Sequence, residues 1–247
     1  MKITGNTVLV TGGTSGIGLG LALRLRQAGN TVVVAGRRRE LLERIAAEHP
    51  GLGTLELDVA DPESIESARS RVLAAYPELN VVVNAAGIML PEDVRDRDAV
   101  RVAQDTVTTN LLGTIRMIYA LVPQLTGRED AAILTVSSGL AFVPMPMTPT
   151  YNATKAAVHS FSESLRVQLA GSGVQVIELV PPAVRTTLMN QQDLEAAMPL
   201  EDFLSETMTL LHEQPDAHEI LVENVKFLRN AATDGRYDEV LALLSAH

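Results

Sequence analysis

The feature that most constrains this chain is the regular exchange of two apolar periods. Short, nearly unbroken apolar runs at 7–10, 31–35, 52–57, 81–83, 131–136 and 174–180 read as strands, and their continuity is what strands covered on both faces require. Between them, 17–27, 39–48, 62–75, 99–125 and 153–170 carry apolar residues three and four apart, the period of a helix packed by one face. Such alternation joins parallel strands by right-handed crossovers. An α/β fold follows: a doubly wound parallel sheet of about seven strands with helices on both faces.

Local punctuation agrees. Asp61-Pro62-Glu63 supplies a cap, a proline at the first helical position and an early acid. Gly29 and Gly171 end helices where a left-handed residue is wanted. Beyond Pro181 the pattern loosens into a polar loop at 190–195, helical stretches at 200–212 and 224–229, and a last strand at 219–223. The whole of 1–247 is expected to form one dinucleotide-binding domain, with 183–247 a substrate loop and helical extension within it.

Strand 7–10 runs into Thr11-Gly12-Gly13-Thr14-Ser15-Gly16-Ile17-Gly18, and a helix follows at once. Glycines let a backbone approach a ligand closely, and the free N–H groups of a helix start favour an anion. A bare βα turn could use the same glycines. Their place after the first strand of a βαβ unit is the context that a Rossmann-type dinucleotide site requires. The second strand ends at Ala35-Gly36-Arg37. An acid there would bind the adenosine ribose hydroxyls of NAD, whereas small Gly36 followed by the planar fork of Arg37 suits the extra phosphate of NADP. NADP is therefore expected over NAD. The run Arg37–Arg39 also fits the solvated start of helix 39–48. Asp58, followed by Val59, closes the third strand, either to hydrogen-bond adenine or to turn the chain. Asn84-Ala85-Ala86-Gly87 offers small residues where backbone passes close to a flat ligand, or simply a tight loop.

Tyr151-Asn152-Ala153-Thr154-Lys155 sits at the start of helix 153–170, and a spacing of four puts both end residues on one face. Reducing a carbonyl takes a hydride and a proton. A tyrosine, with a pKa near 10, shuttles protons only where a nearby cation stabilises its phenolate. The chain has three lysines and four tyrosines, and only Tyr151 has a lysine at +4. Ser137-Ser138-Gly139 follows strand 131–136 at the same sheet edge, so one hydroxyl can polarise the substrate oxygen, or make a local turn bond. Asn110 is a poor helix former inside helix 99–125, suited to holding a kink and a water, or to a plain surface position.

Other chemistries find little support. There is no Gly-x-Ser-x-Gly elbow and no His-Glu-x-x-His, and His49, His159, His212, His218 and His247 show no ligand spacing, so no metal is expected. His159 reads as a packing or surface residue rather than a base. A formal net charge of −10 argues against nucleic acid or an anionic membrane as partner. The absence of cysteine excludes a disulfide, and no secretory signal is evident, which together fit a cytoplasmic address.

Taken together, Thr11-Gly12-x-x-x-Gly16-x-Gly18, Asp58, Asn84-Ala85-Ala86-Gly87, Asn110, Ser138 and Tyr151-x-x-x-Lys155 closely resemble the short-chain dehydrogenase/reductase family, in its shorter single-domain branch. The match has the family's order and spacing over roughly residues 5–187. Thr4-Gly5-Asn6-Thr7-Val8-Leu9 and Ser137–Pro144 look most like its DltE-like subgroup. The resemblance implies that Ser138, rather than Ser137, polarises the substrate, that Tyr151 exchanges the proton with help from Lys155, and that Asn110 holds the water of a relay. It implies cofactor contacts from Gly12, Thr14, Ser15, Gly16, Ile17 and Gly18, then Arg37, Arg38, Asp58 and Val59. Asn84, Ala85, Ala86 and Gly87 complete them, with Tyr151, Lys155, Pro181 and Thr186, the last at the nicotinamide carboxamide. Two departures stand out: Pro182 replaces the family's usual glycine, and the usual closing strand with its Asp-Gly-Gly signature is missing.

The implied activity is NADP(H)-dependent interconversion of a carbonyl and a secondary alcohol. The competing reading is a non-catalytic NADP-binding regulator or scaffold, which would need the glycines but not a proton relay. A longer-branch sugar-nucleotide epimerase fits less well, because the chain lacks room for its C-terminal substrate domain. Loops at the strand ends offer Ile88, Met89, Leu90, Leu140, Phe142, Val143, Met145, Met147, Val184, Leu188 and Met189. Such a lining predicts a small apolar carbonyl or alcohol substrate, although several of these residues suit a lid or subunit contact equally. Helices 99–125 and 153–170 are apolar on more than one face, and by resemblance they pair across a two-fold axis. A homodimer is expected, with a homotetramer open.

Overall fold

The computed structural model describes residues 1–246; His247 lies outside the described residues. Seven strands, β1 (Thr7–Thr11), β2 (Thr31–Gly36), β3 (Gly53–Glu56), β4 (Val81–Asn84), β5 (Ala132–Val136), β6 (Gln175–Leu179) and β7 (Glu219–Ile220), form one sheet in the order β3-β2-β1-β4-β5-β6-β7. Every neighbouring pair is parallel. The order reverses direction between β1 and β4. There the chain leaves β1 toward one edge and β4 toward the other, which opens a crevice at their carboxyl ends.

Helices α1 (Gly16–Gln27), α2 (Arg39–Glu48), α3 (Pro62–Ala75), α4 (Val100–Thr106), α5 (Gly113–Leu125) and α6 (Pro149–Gln168) supply the crossovers. After β6 come α7 (Leu200–Glu213), α8 (Glu223–Arg229) and α9 (Tyr237–Ser245). Two apolar cores lie on opposite faces of the sheet. One gathers Val8, Val10, Val34 and Val83 with Leu21, Leu25, Phe203 and Leu204; the other gathers Leu9, Val33, Val82 and Ile133 with Val72, Ile118 and Leu121. Adjacent strand residues thus enter different cores, the reason the strands are apolar throughout.

The expected punctuation is present: Asp61 accepts from the Glu63 N–H at the start of α3, and Gly29 and Gly171 have φ of 92° and 79°. Four details differ from the sequence reading. The helix expected at 99–125 is divided by a π-helical stretch, Val107–Leu112, centred on Asn110. Helix α6 starts at Pro149, so Tyr151 and Lys155 both lie within it. The last strand shrinks to two residues, and α9 has no counterpart among the expected elements. Among the described residues, no helix is long and apolar enough to cross a membrane.

Candidate active site

The crevice at the strand ends is a cleft of about 490 Å³, bounded by the glycine loop at one end and by the C-terminal segments at the other. Its glycine wall is built by backbone-to-backbone contact. Gly12 has φ of 64°, and a Cβ there would meet the backbone of Ala86 at 2.7 Å. A Cβ on Gly18 would lie 2.4 Å from the Gly12 carbonyl oxygen. Thr11 pins the two loops together, its hydroxyl donating to the Val83 carbonyl at 3.4 Å and accepting from the Ala86 N–H at 3.2 Å. Thr14, Ser15, Gly16, Ile17 and Gly18 all line the cleft. Thr186 closes this end, near enough that a Cβ on Gly16 would meet its methyl at 3.3 Å.

At the end of β2, Arg37 and Arg38 line the same cleft, exposed and with no ion pair among the described residues. Arg39 instead pairs with Glu43 on the face of α2 at 2.9 Å. The arginine run therefore divides: two cations face the cleft and one solvates its helix. Gly36 is required by what lies over it, since a Cβ would meet the Thr14 methyl at 2.6 Å. Val59 lines the cleft but Asp58 does not; the Asp58 carboxylate accepts from the Ala60 N–H at 2.9 Å, a turn-closing bond. Ala85, Ala86 and Gly87 line it too, while Asn84 is buried in β4 with no hydrogen-bond partner for its amide.

Four polar residues converge in the middle. Ser137 and Ser138 leave β5 into the cleft, with Ser138 Oγ accepting from the Leu140 N–H at 3.1 Å and Ser137 Oγ unpartnered. Tyr151 and Lys155 reach the same space from one face of α6, the ammonium 5.5 Å from the tyrosine ring centre. Lys155 Nζ donates to the Val136 carbonyl at 2.7 Å. Burial pushes the Tyr151 phenol up to about 12, with a hydrogen bond to Ser138 acting against it. Burial lowers the Lys155 ammonium to about 8, and the negative charge of Glu178 opposes that fall. Both shifts favour neutral side chains, the cost of placing ionisable groups away from water.

Asn110 supports this centre from behind rather than lining the cleft. Its side chain accepts from the Ile88 N–H and donates to the Ile88 carbonyl, each at 2.8 Å, clamping the loop after β4. Its backbone carbonyl, within the π-helical stretch, accepts from the Thr114 hydroxyl at 2.8 Å. Gly87 is held between Asn110 and Lys155: a Cβ there would meet Asn110 Oδ1 at 3.3 Å and Lys155 Nζ at 3.9 Å.

The far end is apolar. Ile88, Met89, Leu140, Met145, Val184 and Leu188 line it as expected, joined by Gln191 and, from the C-terminal helices, Leu228 and Leu244. Sequence reasoning missed these last three, because no motif marks them. Leu90 and Met147 face solvent, and Phe142 packs between His159 and Arg229 instead. Pro181 and Pro182 form part of the wall, and Pro181 accepts from the Gly139 N–H at 2.9 Å. The loop over this end is fastened by Arg185, whose guanidinium donates to the carbonyls of Leu194, Glu195 and Ala197. His159, Glu178 and Glu219 approach within 4.8 Å of one another, but both Glu219 oxygens already accept from Arg229 at 2.9 Å.

A cleft with close-packed glycines, two free cations at the end of β2 and a buried Ser–Tyr–Lys set can hold a dinucleotide and move a proton beside it. Comparison with known proteins gives the family. The short chain dehydrogenase family profile matches residues 6–197. The Bacillus subtilis oxidoreductase DltE is 39% identical, over 97% of this chain and 96% of its own. A short-chain dehydrogenase from Burkholderia cenocepacia in complex with NADP superposes with a TM-score of 0.83 at 25% identity, covering 99% of both chains. A 3-ketoacyl-(acyl-carrier-protein) reductase from Brucella melitensis complexed with NADH gives 0.76 at 25% identity, over 87% of this chain and 93% of that one. The chain belongs to the short-chain dehydrogenase/reductase family of oxidoreductases, and within it resembles DltE.

Proposed function

We propose that this protein is an NADP(H)-dependent reductase of small apolar ketones or aldehydes, reversible as an alcohol dehydrogenase, with Tyr151 as the proton-transferring residue. The observation that carries the reading is the buried pairing of Tyr151 and Lys155 beside Ser138 in the cleft that the glycine loop opens into. A non-catalytic regulator would need the glycine loop but not this set.

A nicotinamide cofactor, which the glycine loop, Arg37, Arg38 and the Ala85–Gly87 turn would hold, would supply a hydride for the carbonyl carbon. The chain's own groups do the rest. Ser138 and the Tyr151 phenol donate hydrogen bonds to the carbonyl oxygen, which gains negative charge as the hydride arrives. A phenol held neutral up to about pH 12 carries its proton throughout the neutral range and yields it to the far more basic alkoxide. Lys155, charged below about pH 8, stabilises the phenolate left behind. Asn110 fixes the loop that passes against Lys155 and supports the water route by which Tyr151 regains its proton.

Arg37 and Arg38, free of carboxylate partners in the cleft, support NADP as the preferred cofactor; NAD has no matching acid at the end of β2. The apolar far end supports an uncharged substrate. Exposed apolar residues on the 97–125 segment and α6 (Val100, Leu112, Tyr119 and Val167) support pairing of these helices in a homodimer.

The test is a fluorescence titration with NADPH and NADH, against the low background of a chain without tryptophan, followed by turnover of an apolar carbonyl panel. Tight NADPH binding, weak NADH binding and NADPH oxidation with an apolar ketone are expected. Binding of neither cofactor would end the enzyme reading.

A further inference from the structure

Glu178 is a buried carboxylate with no task in the chemistry above. It lies on β6 with no exposure, in register with Thr135 on β5 and Glu219 on β7. These three therefore form one row on one face of the sheet, the face that α6 covers. Two glutamates directly opposite each other repel. The row is held by cations and donors from outside. His159 Nδ1 lies 2.8 Å from Glu178 Oε2 and 3.9 Å from Glu219 Oε1, and Arg229 of α8 takes both Glu219 oxygens. Glu163, the remaining acid on α6, lies 3.9 Å from His159 Nε2 and is exposed. Glu178 Oε1 has no hydrogen-bond partner at all.

Leaving one oxygen of a buried carboxylate unpaired is costly unless a charge nearby compensates it. The outer cation, Arg229, is committed to Glu219. Of the two other cations that α6 brings to this face, Arg166 donates to the Val176 and His218 carbonyls, and one helical turn before His159 stands Lys155. Its Nζ is anchored to the carbonyl of Val136, the residue after Thr135, and Thr135 is the β5 partner of Glu178. Nearer to Nζ, the Tyr151 ring and the Gly87 backbone carry no formal charge.

We propose that Glu178 is a positioning carboxylate for the reaction: held against the sheet by His159, its buried charge keeps Lys155 cationic and, through Lys155, sets the pH range in which Tyr151 transfers its proton. This rests on the function proposed above. The charge of Glu178 is the one that opposes desolvation of Lys155, in keeping with this role. A purely structural part, fastening α8 and the Phe142 loop through Arg229 and His159, would need the hydrogen bonds but not the charge.

The chain's three lysines make the test direct. With lysine labelled at ¹³Cε, the protein gives three resonances, and Lys2→Arg and Lys226→Arg identify that of Lys155. In Glu178→Gln, which keeps the shape, the Lys155 titration midpoint should fall by on the order of one pH unit. The high-pH limb of kcat/KM for ketone reduction should move down with it, while circular dichroism stays unchanged. Should the Gln protein fail to fold, Glu178→Met, apolar and of similar volume, gives the same comparison. An unmoved Lys155 midpoint in the folded variant would overturn the inference and leave the proposed function intact. Absence of any wild-type turnover would instead remove the proposed function, with the midpoint alone still deciding whether Glu178 acts on Lys155.

Discussion

The two ends of the cleft are made by different means. At the nucleotide end, β1, the glycine loop and the loop after β4 touch backbone to backbone, and single glycines at 12 and 18 make the approach possible. At the substrate end, the walls are side chains brought from far apart in sequence: Met89 and Met145, then Val184 and Leu188, then Leu228 and Leu244. The loop over it is fastened by hydrogen bonds from Arg185 to three carbonyls. An end built on backbone geometry is intolerant of change and suits a cofactor of constant shape. An end built on adaptable apolar side chains can vary its ligand at small cost.

The sharpest way to break that comparison is at the point where the ends meet. Tyr151→Phe is expected to lower kcat for ketone reduction by about 10²–10⁴-fold with NADPH affinity within a few fold of wild type, by steady-state kinetics and titration. Normal turnover would remove the tyrosine from the mechanism. Lys155→Met tests the cost of placing a cation there. The folded state binds this proton less tightly than the unfolded chain, so the ammonium is penalised at every pH below about 8. Between 8 and 10.5 the penalty fades. The substitution should therefore stabilise the cofactor-free protein at pH 7, by on the order of 3 kcal/mol at most, and stabilise it little at pH 10, as followed by thermal melts at the two pH values. A uniform or reversed effect would show that Lys155 is not strained by burial.

Arg37→Asp addresses the nucleotide end alone. NADPH affinity should fall by roughly 10–100-fold while NADH affinity holds or improves. If NADPH still wins, the phosphate is held elsewhere, and Arg38 is the next side chain to change. Leu244→Ala addresses the substrate end and should have the smallest effect. KM for an apolar ketone should rise several-fold, about 1 kcal/mol, with the NADPH dissociation constant unchanged. An unchanged KM across chain lengths of ketone would mean that α9 only covers the cleft.

Much of the nucleotide end could be read from the residues in order. The glycine spacing, Arg37 after β2, the small residues after β4 and the Tyr151–Lys155 pair are each local, and each sits at a strand's carboxyl end or a helix start, where topology brings them together. The same reading reached less far where a residue's partner is distant. Asp58 turns the chain rather than facing the cleft, Asn110 clamps Ile88 from within a π turn, and Phe142 packs on His159 and Arg229.

The division has one physical cause. Period, turn chemistry and the spacing of a helical pair are properties of neighbouring residues, so the chain by itself determined the parallel sheet, the glycine loop and the family. Which side chains line the substrate end, how α9 comes to lie over it, and why a buried glutamate faces a histidine one turn from Lys155 depend on contacts between segments tens of residues apart. Their energy comes from burial and desolvation in the assembled fold, and only the tertiary structure decided them.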